Sequence, residues 1–247
     1  MDTNMLRSNR LKQVFAEGKR PAMGFWQMLP GANISRILAR SGADWIMVDC
    51  EHGNIDDAAM HEAVPAIAAL GVSPIVRLPD IQPWMEPWIQ EHMEYGSHRP
   101  PVLKEAAWLT DLQILVPLIR TVDEVKGVLD AAKFPPEGRR GFGSPFAMQN
   151  FNPGLTGTGY LQQANGSLLT MVQIETREAL EAVEEIAALV DVVFIGPFDL
   201  GNNIGHPIID NKMDPELDDA IARILRAALA AGTKCGIYSP SAKHAKN

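Results

Sequence analysis

Cysteine is scarce in this chain, and the two that occur, Cys50 and Cys235, lie far apart with neither zinc-site spacing nor a disulfide framework around them. Reduced thiols in a cytoplasmic protein are the expectation. Positive charge is also in deficit: 22 Lys and Arg against 30 Asp and Glu leave a formal net charge of -8. A surface of that sign repels polyanions, which argues against nucleic acid or an anionic membrane as a partner. No apolar run approaches the ~18 residues of a membrane span. The segment Met1 to Lys19 carries Arg7, Arg10, Lys12 and Lys19 without a continuous apolar stretch, so it does not read as a secretory signal. A Gly-x-Gly-x-x-Gly after an early strand is missing as well, and with it the phosphate-cradling fingerprint of a dinucleotide-binding fold.

What is present is a core-forming sequence, 46% hydrophobic over 247 residues, about the length of one α/β barrel. Short β-rich runs recur at Ala22–Leu29, Trp45–Asp49, Pro74–Leu78, Ile114–Ile119, Leu169–Ile174, Val192–Ile195 and Lys234–Tyr238. They are apolar on both faces, as strands of a parallel sheet covered on both sides must be. Helical patterns lie between them. Asn33 is a candidate cap for a helix with Ile34, Ile37 and Leu38 on one face, and Asp56 for a helix that runs to Gly71 with Pro65 inside it. Asp214-Pro215 opens a third, with Leu217, Ile221, Ile224 and Ala228 as its stripe and Gly232 as its stop. Alternation of this kind predicts a single α/β domain over residues 1–247, of the (β/α)8 TIM-barrel type. Seven strands are one short of a closed barrel: a strand is unread, a partner chain completes it, or the barrel is open and incomplete at the C-terminus, its last strand and helix missing. Residues 86–113 break the rhythm with Pro87, Pro100 and Pro101 and no clean amphipathic pattern.

The polar residues fall at the C-terminal ends of several strands, where a barrel carries its chemistry. Glu175 and Asp199 stand one strand–helix–strand step apart, and two such carboxylates can share a divalent cation; carboxylates at strand ends also cap helices. Gln173 lies two residues before Glu175 and points to the same side. Gly196-Pro197-Phe198-Asp199 reads as a sharp turn whose backbone N–H groups could face an anion. In Asp49-Cys50-Glu51-His52-Gly53, a histidine beside two carboxylates suits a general base near neutral pH. Arg77 ends an apolar strand and needs an anionic partner, either a carboxylate of the protein or a substrate oxyanion.

Taken in order, Gly24-Phe25-Trp26, Asp49-Cys50-Glu51-His52-Gly53, Val76-Arg77-Leu78-Pro79 and Val116-Pro117-Leu118 resemble the HpcH/HpaI aldolase family, with its citrate-lyase relatives. So do Phe134-Pro135-Pro136-Glu137-Gly138-Arg139-Arg140-Gly141, Val172-Gln173-Ile174-Glu175 and Phe194-Ile195-Gly196-Pro197-Phe198-Asp199-Leu200. The resemblance implies a class II aldehyde-lyase that cleaves 4-hydroxy-2-oxo acids to pyruvate and an aldehyde through a metal-bound enolate. It implies Glu175 and Asp199 as ligands of Mg²⁺ or Mn²⁺, with Co²⁺ as a further candidate. Arg77, His52 and Asp49 would be catalytic; Gln173, Phe198, Trp26 and Ser144 would bind the 2-oxo acid. A homo-oligomer is implied too, unless the missing tail prevents it. Family members carry an aspartate on the helix after the Arg-bearing strand, which pairs with the catalytic histidine. Here Glu86–Gln113 stands in its place, with Glu91, Glu94 and Glu105 as candidate substitutes among which nothing in the sequence selects. The alternatives are a catalytically impaired relative serving as a binding or assembly module, and a lyase acting on a citrate- or malyl-type thioester.

Overall fold

The computed structural model describes residues 5–79, 113–142, 151 and 154–240. The irregular segment at 86–113 therefore lies outside the described residues, except for Gln113. The chain divides into two compact units, Met1–Leu115 with Leu129–Leu169, and Val116–Val128 with Thr170–Asn247.

The first unit carries β1 (Gly24–Gln27), β2 (Trp45–Asp49), β3 (Ser73–Arg77) and β4 (Gln113–Val116), paired in chain order and all parallel. Its helices are α1 (Arg10–Glu17), α2 (Ala32–Ala39) and α3 (Asp57–Ala68), then, beyond α4 (Val122–Ala132), α5 (Gly157–Ser167). The second unit carries β5 (Leu169–Ile174), β6 (Val192–Ile195) and β7 (Lys234–Ile237), again parallel and in chain order. With them go α6 (Arg177–Glu181), α7 (Val183–Ala187), α8 (Pro197–Ile204) and α9 (Pro215–Ala231). The fold class is α/β of the TIM-barrel type. The described residues supply seven strands against the eight of a complete barrel, in keeping with the incomplete barrel expected.

Sequence explains the strands directly. β2, β3, β5 and β6 are almost wholly buried, and their Ile, Val, Met and Leu side chains pack on both faces. Ile46, Met47, Val48, Val76, Val172 and Val193 are inaccessible to solvent, and each such side chain contributes about 1.5–3 kcal/mol by leaving water. Asp56 opens α3 as expected, accepting the Ala59 N–H at 2.9 Å, but the helix stops at Ala68, short of Gly71; α9 is opened by Asp214-Pro215 and closed by Gly232 as expected.

Two expectations at α2 are corrected. Asn33 is not its cap: the N-cap lies two residues earlier, at Gly31, whose φ of 118° no other residue adopts without strain. The buried face is consequently set by Ser35 and Ala39, and Ile37 is 70% exposed rather than part of it.

Candidate active site

Parallel register brings the first group of polar residues together. Asp49 closes β2 and Arg77 closes β3, directly opposite each other, so both side chains leave the sheet on one face. Arg77 donates from Nε to Asp49 Oδ1 at 2.9 Å and from Nη2 to Asp49 Oδ2 at 2.6 Å, a bidentate pair between two buried residues. Its Nη1 lies 2.8 Å from Glu51 Oε2. Asp49 Oδ1 also accepts the backbone N–H groups of Glu51 and His52, each at 3.1 Å, which folds the turn after β2 around the carboxylate. The Trp26 ring lies 5.8 Å from the guanidinium carbon and meets Trp45 edge-on. His52 stands at the rim with a 57% exposed side chain, its Nε2 3.7 Å from Glu51 Oε1. Arg77 thus has protein carboxylates as partners, and Asp49 serves it rather than solvent. Burial, with the charges of Asp49, Asp57 and Asp56, pushes the Cys50 thiol up to about 12, which favours the protonated form.

The second group belongs to the other unit and is built around Glu175, only 2% exposed, one residue past β5. Its Oε1 accepts the Leu118 N–H at 2.7 Å and its Oε2 accepts Gln173 Nε2 at 2.7 Å. Leu118 is held at φ 53°, a left-handed conformation that a leucine pays for and that turns its N–H toward Glu175. Next door, Thr176 Oγ1 donates to the Ile119 carbonyl at 2.7 Å and accepts the Ala179 N–H at 3.1 Å. Gly196 presses on the carboxylate so closely that a Cβ there would collide with Glu175 Oε2 and stand 3.1 Å from Gln173 Nε2.

The segment Gly196 to Asp199 is a helix start rather than the turn expected: Gly196 is the N-cap of α8 and Pro197 its first residue. Asp199 lies exposed in the first helical turn, where the helix dipole favours a negative charge. Phe198 is half-exposed and T-shaped against Tyr238, ring centroids 6.1 Å apart. Buried and exposed carboxylate oxygens in this unit, with a cradle beside Glu175 that a Cβ would fill, fit a hard divalent cation.

Of the residues singled out by sequence, the structure joins Asp49, Arg77 and Trp26 in one unit, with Glu51 and His52 beside them, and Gln173 with Glu175 in the other. Ser144 lies outside the described residues. Sequence reasoning passed over Leu118 as a donor to Glu175, Gly196 as the residue that admits the carboxylate, and Glu51 as a partner of Arg77. Only Gly196 left a signal, a glycine where a strand gives way to a helix.

His206, Asp214 and Glu216 form a further, exposed grouping at the start of α9. Asp214 is committed there as the N-cap: the Leu217 N–H, reinforced by His206 Nδ1 at 2.7 Å, holds its carboxyl below the usual range.

In each unit, charged side chains stand just past the carboxyl ends of parallel strands, the place where (β/α)-barrel folds carry their chemistry. The family model described as HpcH/HpaI aldolase/citrate lyase matches residues 22–244, and the chain belongs to that family. It is 33% identical over 217 residues to the 2-dehydro-3,6-dideoxy-6-sulfogluconate aldolase of Pseudomonas putida, covering 87% of this chain and 76% of that one. It is 33% identical over 229 residues to the hydroxypyruvate/pyruvate aldolase of Deinococcus radiodurans, covering 91% of this chain and 76% of that one. Among solved structures, an HpcH/HpaI aldolase/citrate lyase family protein from Burkholderia cenocepacia superposes with a TM-score of 0.78 at 30% identity. That match covers 96% of this chain and 87% of the other. No helix among the described residues is long and apolar enough to cross a membrane.

Proposed function

We propose that the protein is a divalent-metal aldolase that cleaves a 4-hydroxy-2-oxo acid to pyruvate and an aldehyde. The observation that carries this function is the Glu175 carboxylate, buried at the end of β5 and held by Leu118 and Gln173 against a glycine that leaves it room. Relatives named as aldolases support the same chemistry.

Glu175 and Asp199 are assigned the cation, Mg²⁺ or Mn²⁺ by the hardness of their oxygens. When bound, that ion supplies the electron-withdrawing pull on a 2-oxo acid that other aldolases obtain from a Schiff-base lysine. Arg77 is assigned the 2-oxo oxygen. Cleavage breaks the C3–C4 bond, its electron pair moves toward C2–C3, and negative charge grows on that oxygen. Asp49, by fixing the guanidinium in a bidentate pair, sets the direction of the donors before charge develops. His52 is assigned the C4 hydroxyl proton; its loss leaves C4 as the aldehyde carbon. Returning a proton to C3 then gives pyruvate. Gln173 and Phe198 are assigned the pyruvate half, with Trp26 beneath Arg77 and Ser144 as a further binding residue.

The test follows the pyruvate methyl signal by proton NMR in heavy water, which reports enolisation without requiring the right aldehyde. We expect exchange with Mg²⁺ or Mn²⁺, none with excess EDTA, and none in Glu175→Ala. Exchange that survives EDTA, or a Glu175→Ala protein with unchanged turnover, would overturn the assignment of the cation.

A further inference from the structure

Glu51 lies between two groups assigned to the chemistry and touches both. Its side chain is 9% exposed, and Oε2 is fixed 2.8 Å from Arg77 Nη1. The other oxygen, Oε1, faces His52 Nε2 at 3.7 Å. Arg77 is itself clamped by Asp49, and Asp49 also holds the backbone N–H groups of Glu51 and His52. The chain of contacts therefore runs from a buried pair outward to an exposed imidazole with a backbone anchor and, among the described residues, Glu51 as its carboxylate neighbour.

We propose that Glu51 is a positioning residue for His52, fixing the imidazole with its proton on Nε2 and leaving Nδ1 as the basic nitrogen. A carboxylate accepts and never donates when ionised, so the ring nitrogen that faces it is best as N–H. At 3.7 Å the pull is electrostatic, longer than a direct hydrogen bond. It acts from a carboxylate that Arg77 prevents from swinging away, so little side-chain entropy is lost on ordering it. For its catalytic consequence this placement rests on the aldolase function proposed above; for its geometry it does not.

Glu51→Gln separates the two roles of the carboxylate. The amide oxygen can replace Oε2 against Arg77, which turns the amide N–H₂ toward the imidazole. A donor there favours a bare Nε2 and moves the ring proton to Nδ1. With ¹⁵N-labelled protein, the His52 resonances are assigned by their absence in His52→Gln. We expect an Nε2–H tautomer in the parent protein and an Nδ1–H tautomer in Glu51→Gln. We also expect retro-aldol kcat to fall about 10- to 100-fold, with KM within about twofold. An Nδ1–H tautomer in the parent protein, or an unchanged tautomer and kcat in the variant, would overturn the proposal. If Glu51→Gln does not fold, the parent spectrum still tests the proposal, since an Nδ1–H tautomer there overturns it. Should the parent show neither metal-dependent exchange nor turnover, the aldolase function fails, while the tautomer still tests where Glu51 holds the ring.

Discussion

Single atoms decide most at Gly196. A Cβ there would collide with Glu175 Oε2, so any side chain displaces the carboxylate or the helix start behind it. Gly196→Ala is expected to lower stability by about 1–3 kcal/mol, the usual cost of forcing a carbon into a filled site. It is also expected to weaken Mn²⁺ binding at least tenfold, about 1.4 kcal/mol, if Glu175 holds the cation as proposed above. Denaturant unfolding and metal titration by calorimetry read the two effects separately. Unchanged Mn²⁺ affinity in a folded variant would detach Glu175 from the metal. At this scale the sequence was informative about residue types and silent about partners. Gln173 and Glu175, spaced by two on a strand, had to share a face, and they meet at 2.7 Å. That Leu118 would give up its ordinary backbone conformation to point an N–H at Glu175 follows from nothing in Pro117-Leu118.

Among the elements, strands were legible nearly to the residue and helix starts less so. Buried parallel strands carry their signal in an unbroken apolar run, and Trp45–Asp49, Leu169–Ile174 and Val192–Ile195 coincide with β2, β5 and β6. Helix α2 shows the limit, since a glycine in an unusual backbone state started it ahead of an equally plausible Asn33. Helix α1 was not foreseen at all, and its anchor explains why. Asn9 caps it through the Lys12 N–H and also reaches three distant partners: Nδ2 donates to the Ser167 carbonyl, while Oδ1 accepts from Ser73 Oγ and Gln113 Nε2. Contacts so far apart in the chain leave no local pattern. Asn9→Ala is expected to cost about 1–2 kcal/mol for the lost cap and the buried donors left behind. Amide hydrogen exchange should show α1 opening before β2 and β3. A variant with unchanged stability and unchanged protection in α1 would mean that the helix is held by Leu11 and Val14 alone.

For the whole molecule, the excess of carboxylates makes acid the informative perturbation, and Asp44 is a place where protonation reaches the fold directly. This buried carboxylate binds Arg20 through both oxygens, at 2.6 and 2.7 Å, and also takes Arg10 Nε at 3.2 Å and the Met23 N–H at 3.0 Å. Its backbone carbonyl accepts the Ser73 N–H, so one residue ties the N-terminal segment to the starts of β2 and β3. The Arg20 guanidinium, opposed by burial and aided by the Met23 N–H and Arg10, holds the carboxyl down at about 2. Unfolding returns it to about 3.9. A carboxyl with a depressed folded value stabilises the fold above the unfolded value, and that contribution fades as pH falls from about 4 through about 2. Asp44→Asn should therefore unfold at lower urea than the parent near neutral pH, and the gap between the two midpoints should narrow steadily below about pH 4. The narrowing is the diagnostic, because protonation makes the parent resemble its own variant. A gap that stays constant down to pH 2 would show that Asp44 acts through shape and hydrogen bonding alone, and the acid limb would then belong to other carboxylates.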